Sequence, residues 1–127
     1  MGRKSYATYD FPVGRFKISC DDEEICSIEL AREEGKGTPS ELSELAASQL
    51  CEYFSGRRRV FELPLRMEGT EFQKKVWTAL REIPYGETCS YKDIAAKVGN
   101  PKAARAVGNA NNKNPFIIVI PCHRVIG

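Results

Sequence analysis

The sequence predicts an α/β (α+β) protein: a small antiparallel β-sheet with one helix, followed by a mostly helical second half built around a helix-turn-helix. Three observations carry this. Period-2 alternation is confined to the first third of the chain, capped amphipathic helices fill the second half, and the charge changes sign between the halves. Residues 1–65 hold nine Lys and Arg against twelve Asp and Glu, whereas residues 66–127 hold ten against five. The predicted domains are therefore 1–65, structural, and 66–127, which carries the chemistry. A basic second half fits a polyanionic partner, although ordinary solvated charge gives the same count.

In the first half, Phe16, Ile18 and Cys20 alternate with polar residues, and Cys26, Ile28 and Leu30 resume the alternation beyond the acidic turn Asp21–Glu24. This predicts a hairpin with one buried face. After a loop from Gly35 to Pro39, the spacing of Leu42, Leu45, Ala46, Leu50 and Phe54 predicts an amphipathic helix over 40–54, ended by Gly56. Val60–Leu65 reads as a third strand. Arg57-Arg58-Arg59 reads as a solvated loop.

In the second half, Thr70 and Gln73 form a capping box ahead of a helix that buries Phe72, Val76, Trp77, Leu80 and Ile83. Pro84-Tyr85-Gly86 breaks it. Ser90 and Asp93 cap a second helix, Tyr91 to Val98, closed by Gly99. Asn100 as cap and Pro101 as first-turn residue predict a third helix from Pro101 to about Ala110. The last two helices make a helix-turn-helix, a geometry shared by proteins that bind DNA and proteins that do not. Asn111–Pro115 reads as loop and Phe116–Ile120 as a short buried segment.

That segment delivers Cys122, which stands beside His123, the single histidine of 127 residues. The pair joins a sulfur nucleophile to the side chain that exchanges protons near neutral pH. The five cysteines are odd in number and scattered, with no CxxC, which predicts a reducing compartment. The longest apolar run is far below the roughly 20 residues of a membrane span, so no membrane partner is expected.

Ser90-Tyr91, the run from Gly99 to Gly108, Asn114-Pro115 and Ile120-Pro121-Cys122-His123-Arg124-Val125 together resemble the O6-alkylguanine-DNA alkyltransferases, the methylated-DNA–protein-cysteine methyltransferase family of DNA repair. Pro-Cys-His-Arg-Val is that family's active-site signature. The resemblance is strong over residues 70–127 and only an outline before them. It implies a winged-helix-like helix-turn-helix and a single-turnover, suicide transfer of a methyl or alkyl group from O6 of guanine, with O4-alkylthymine left open as a further substrate. Cys122 would accept the group as thiolate, and His123 would act as base through a water. Because a lesion in a stacked duplex cannot be reached in line, the nucleotide would be flipped out.

The resemblance further implies that the helix-turn-helix enters the minor groove and that Arg105 fills the vacated space in the stack. Lys102, Ala104, Ala106 and Gly108 would lie against DNA, the small residues allowing close approach. Tyr91 would promote flipping and bond the extruded base; the backbone carbonyls of Cys122 and Val125 would receive its exocyclic amine; Asn114 would brace the connecting loop. The expected partner is double-stranded DNA containing O6-alkylguanine, the expected state a monomer, and no cofactor or metal is expected. Some relatives hold zinc in the first domain, but here the one histidine is already assigned, so Cys20 and Cys26 read as core residues or, in a thermophile, a cross-hairpin disulfide. The implied location is cytoplasmic and nucleoid-associated, or nuclear in a eukaryote. Relatives continue past the signature with a glycine-rich loop and a helix whose glutamate orients the histidine, and the 127 residues do not include these. The alternative reading is a non-catalytic alkylated-DNA-binding protein that recruits other repair factors. A cysteine hydrolase would need a separate orienting residue and oxyanion hole, and a transcriptional regulator would leave the signature unexplained.

Overall fold

The computed structural model describes residues 4–32 and 34–127, and the chain divides into two compact units, Met1–Arg66 and Met67–Gly127. In the first, β1 (Ser5–Phe11), β2 (Gly14–Cys20) and β3 (Ile25–Leu30) form an antiparallel sheet in that order, followed by α1 (Glu41–Phe54). The expected hairpin is β2–β3. Its turn is closed by Asp21, whose Oδ1 accepts the backbone N–H groups of Glu23 and Glu24 at 2.9 and 2.7 Å. β1 was not anticipated, because Ala7 is its one fully buried residue and the alternation is correspondingly faint.

Three expectations in this unit need correction. A register shift at Ser19/Cys20 sets Ile25 opposite Cys20, so Ile25 and Ile28 face the core while Cys26 is half-buried and Leu30 lies outside. On α1 the buried face is Ser43, Ala46, Ala47, Gln49 and Leu50, and Leu45 is exposed. Val60–Leu65 is not a strand. Pro64 has no N–H to give a ladder, and the segment is instead held by the Gln49 amide, which bonds both the C=O and the N–H of Glu62 at 3.1 and 2.9 Å. Only Leu65 bridges to Ile25. Within the arginine run, Arg58 is structural: it pairs with Glu52 at 2.9 Å and donates to the Val60 carbonyl.

The second unit contains α2 (Glu71–Arg81), β4 (Cys89–Ser90), α3 (Tyr91–Lys97), α4 (Ala104–Asn112) and β5 (Val125–Ile126), with a single 3-10 turn, Cys122–Arg124, ahead of β5. The capping boxes of Thr70 with Gln73 and of Ser90 with Asp93 both form. Val76, Trp77, Leu80 and Ile83 are buried, and the Trp77 indole N–H donates to the Ala110 carbonyl at 2.9 Å, tying α2 to the last turn of α4.

The third predicted helix starts later than its sequence suggests. Asn100 does not cap it: Asn100 N–H and Gly99 N–H return to the carbonyls of Ala95 and Ala96, a Schellman ending for α3 with Gly99 at φ 86°, and the residue at the N-cap of α4 is Ala103. Pro101 and Lys102 then form a turn closed by Ala103 N–H to Asn100 C=O, and α4 begins at Ala104. At its other end α4 absorbs Asn111 and Asn112, which the sequence places in a loop. Among the described residues no helix is long and apolar enough to cross a membrane.

Two glycines test the backbone of the first unit. Gly37 has φ 68°, and a Cβ there would run into the Tyr6 carbonyl and ring; Gly56 has φ 80° and faces open space. Left-handed backbone costs an L-residue about 1–2 kcal/mol. Gly56→Ala is therefore expected to lower the unfolding free energy by about 1 kcal/mol, and Gly37→Ala by more than about 2 kcal/mol, measured by urea denaturation. Equal losses would contradict the close approach at Tyr6.

Candidate functional site

The site is assembled by a two-residue parallel ladder. Cys89 pairs with Val125 and Ser90 with Ile126. Tyr91 is the first residue of α3, directly after this ladder, and Cys122 lies three residues before the other strand, at the start of the 3-10 turn. The pairing thus brings the start of α3 and the Cys-His turn side by side. The Ser90 cap fixes the local geometry: its Oγ accepts the Asp93 N–H at 3.0 Å, and the Asp93 carboxylate accepts the Ser90 N–H at 3.0 Å. These backbone bonds hold the Asp93 carboxyl below its ordinary range.

α4 packs on α3, and Gly108 faces Tyr91: a Cβ added at Gly108 would stand 4.0 Å from Cζ of the tyrosine ring. Val107, Ala110 and Asn111 are buried, while Arg105, Ala106, Asn109 and Asn112 are exposed and Ala104 and Gly108 intermediate. Helical spacing explains the division, since 105, 109 and 112 fall on one face and 104, 108 and 111 on its flank. The small residues are therefore not one stripe. Ala106 belongs to the exposed face and Gly108 to the contact with Tyr91. Lys102 is exposed too, but in the turn ahead of α4 rather than on it. Asn109 was missed although its spacing from Arg105 inside the predicted helix puts the two on one face, and Asn112 was missed because the helix was taken to end near Ala110.

Between α4 and the cysteine the chain makes a compact knot. Asn114 donates from Nδ2 to the Ile120 carbonyl at 2.7 Å and accepts the Phe116 N–H at 2.9 Å. Ile120 N–H bonds Phe116 C=O at 2.9 Å. The segment is not a strand: Val119 N–H returns to Ile117 C=O around Ile118, at φ 70°, a γ-turn that strains a β-branched residue. Cys122 N–H returns to Ile120 C=O around Pro121 (φ −79°, ψ 67°), an inverse γ-turn. Phe116, Val119 and Ile120 are buried, so the floor is apolar as expected, though it is a coil of tight turns.

Cys122 is half-buried and His123 is exposed. Among the described residues neither side chain has a hydrogen-bond partner, so no hydrogen bond joins the thiol and the imidazole directly. Partial burial of the ring, and then the neighbouring Arg124 charge, push the His123 pKa below its ordinary value, which leaves the imidazole neutral at pH 7. The Cys122 carbonyl already accepts the Val125 N–H, leaving one lone pair for a ligand; Val125 is buried. Arg124, to which sequence reasoning gave no role, donates to the Ile83 carbonyl at 2.8 Å and lies over the Tyr85 ring. All five cysteines are free thiols; Cys20 is buried, and burial pushes its pKa up.

Residues 71–127 match the DNA-binding domain of 6-O-methylguanine DNA methyltransferase, and residues 4–67 match the ribonuclease-like domain of the same protein. The chain is 49% identical to the constitutive methylated-DNA–protein-cysteine methyltransferase of Bacillus subtilis, over 96% of the chain and 80% of that protein. It is 46% identical to the corresponding protein of Methanosarcina acetivorans, over 96% of the chain and 83% of the relative. Among solved structures, the O6-methylguanine methyltransferase of Mycobacterium tuberculosis superposes with a TM-score of 0.90 at 40% identity, covering 98% of this chain and 79% of that one. The same Mycobacterium protein in complex with DNA gives 0.87 at 41% identity, over 96% and 78%. Both halves of the chain, each matched to its own domain model and joined in near-full-length alignments, belong to the 6-O-methylguanine DNA methyltransferase family.

Proposed function

We propose that this protein repairs double-stranded DNA by moving a methyl or alkyl group from O6 of guanine to the sulfur of Cys122, once per molecule. The observation that carries the residue assignment is the ladder that sets the half-buried Cys122 turn beside Tyr91, with Gly108 of α4 against that tyrosine. Attack requires thiolate, and an ordinary thiol of pKa about 8.5 is mostly protonated at neutral pH. A neutral His123 can take that proton. With no direct hydrogen bond between the two side chains, a water between them is the simplest carrier.

The sulfur lone pair forms the S–C bond as the C–O6 bond breaks. The electron pair left on O6 spreads into the purine ring, which takes up one proton and becomes guanine. The thioether has no ready leaving route, so the protein is spent. The exposed face of α4, with Arg105, Ala106, Asn109 and Asn112, suits a groove of DNA, and Arg105 has no ion-pair partner among the described residues that it must abandon. In this reading Arg105 enters the stack when the nucleotide leaves it, Lys102 contacts backbone phosphate, and Tyr91 and the Cys122 and Val125 carbonyls hold the extruded base. Asn114, bonded at both ends of the Phe116–Ile120 knot, braces the connection.

Incubation with an oligonucleotide carrying O6-methylguanine is expected to add one methyl group, mapped by peptide mass to Cys122 and absent in Cys122→Ser. Binding of the lesion without any adduct would support the non-catalytic reader of alkylated DNA instead.

Arg105→Ala is expected to slow repair of duplex DNA by about tenfold or more, since ~1.4 kcal/mol of the flipping cost is a factor of ten. Transfer from the free alkylated base should be unchanged. Equal losses in the two single-turnover assays would refute stack filling.

The pH dependence follows from the His123 shift. A base with a lowered pKa stays neutral to a lower pH, so the rate should fall on acidification with a midpoint below the ordinary histidine value of about 6.5. His123→Gln should remove that acid limb from the single-turnover rate profile. An acid limb above the ordinary value, or one that survives the substitution, would argue against His123 as the base.

A further inference from the structure

The Cys-His turn is fastened on its downstream side by one long side chain. Arg124 donates from Nη1 to the carbonyl of Ile83, 41 positions earlier, at 2.8 Å. That carbonyl lies just past the end of α2, where backbone acceptors lack intrahelical donors and a positive charge is favourable. The guanidinium also lies 5.6 Å from the centroid of the Tyr85 ring. The backbone of Tyr85 is held in a tight turn, Pro84–Glu87, closed by Glu87 N–H to Pro84 C=O at 3.1 Å, with Gly86 at φ 83°.

Arg124 N–H further bonds the Pro121 carbonyl at 3.0 Å, so the guanidinium is anchored just past the end of α2 while its backbone belongs to the turn that holds Cys122. Upstream, Asn114 fixes Ile120; beyond, β5 fixes Val125. The sulfur lies between these anchors, and Arg124 ties this stretch to the segment that follows α2.

We propose that Arg124 is a positioning residue for alkyl transfer, clamping the acceptor turn to the end of α2 through the Ile83 carbonyl and the Tyr85 ring. This rests on Cys122 as the acceptor. An in-line displacement at carbon tolerates little error, and a misplacement of about 1 Å costs about 100-fold in rate. The fork of an arginine can bond the carbonyl and lie on the ring together; a lysine can do only the first well. The charge has a second consequence. Among the described residues Arg124 is the one charged group that acts on His123, and it disfavours the imidazolium.

The test is single-turnover transfer by the full chain on an O6-methylguanine duplex and on the free methylated base, beside affinity for undamaged duplex. The wild type must first form the Cys122 adduct; if it does not, the alkyl-transfer reading falls and the clamp with it. Given the adduct, Arg124→Ala is expected to react about 30- to 100-fold more slowly on both substrates. DNA affinity should stay within about twofold and the reactive fraction should be unchanged, and Arg124→Lys should recover part of the rate. The acid limb should move up in Arg124→Ala and stay in Arg124→Lys, which a merely structural role would not produce. A wild-type rate in Arg124→Ala, or a loss confined to the reactive fraction, would overturn the clamp. Should Arg124→Ala fail to fold, Tyr85→Ala at a half-exposed position removes the ring alone; it is expected to slow transfer severalfold, and an unchanged rate there would overturn the proposal equally.

Discussion

The parallel pairing of Cys89–Ser90 with Val125–Ile126 is the contact on which the site depends. The pairing is only two residues long, and an isolated ladder of that length would not survive in water. It persists because its neighbours are fixed by other means. The Ser90–Asp93 capping box holds one strand to the start of α3, and the 3-10 turn, with Val125 N–H bonded to Cys122 C=O, holds the other. Removing the pairing would leave Tyr91 and Cys122, 31 positions apart in the chain, without the backbone bonds that hold their two segments side by side.

The loop before the cysteine obeys the same logic of local closure. A stretch as apolar as Phe116–Ile120 would ordinarily pair as a strand, but here the Asn114 amide satisfies both of its ends and leaves the interior to fold on itself. Ile118 pays in backbone strain, and Phe116, Val119 and Ile120 recover burial. The result is a thiol on a short, tightly bonded turn instead of a flexible loop, which suits a reaction whose single chance of success depends on orientation.

Capped helices were legible because a capping box writes both its partners into four consecutive residues, as at Thr70–Gln73 and Ser90–Asp93. The Cys-His pair and its apolar approach were legible for the same reason. What could not be read were contacts that a side chain makes far along the chain. Gln49 substitutes for a strand by bonding Glu62, and Arg124 reaches Ile83; neither leaves a periodic trace. The start of α4 was misplaced because Asn-Pro reads as a cap and first turn, whereas here Asn100 belongs to the Schellman closure of α3 and to a separate turn closed by Ala103 N–H, and α4 starts only after it. Likewise the Ser19/Cys20 irregularity exchanged Cys26 for Ile25 on the buried face. The alternation was real, but its phase was set by the partner strand.

In such a transfer the protein is a reagent and not a turning-over catalyst, with Cys122 consumed by the group it removes. The most direct measurement is a titration of O6-methylguanine duplex with a known amount of protein, counting repaired guanines at completion. The expected result is a plateau at one repaired base per active chain, with no recovery on adding more substrate. Continued repair beyond that equivalence, or repair that persists when Cys122 is replaced, would contradict it.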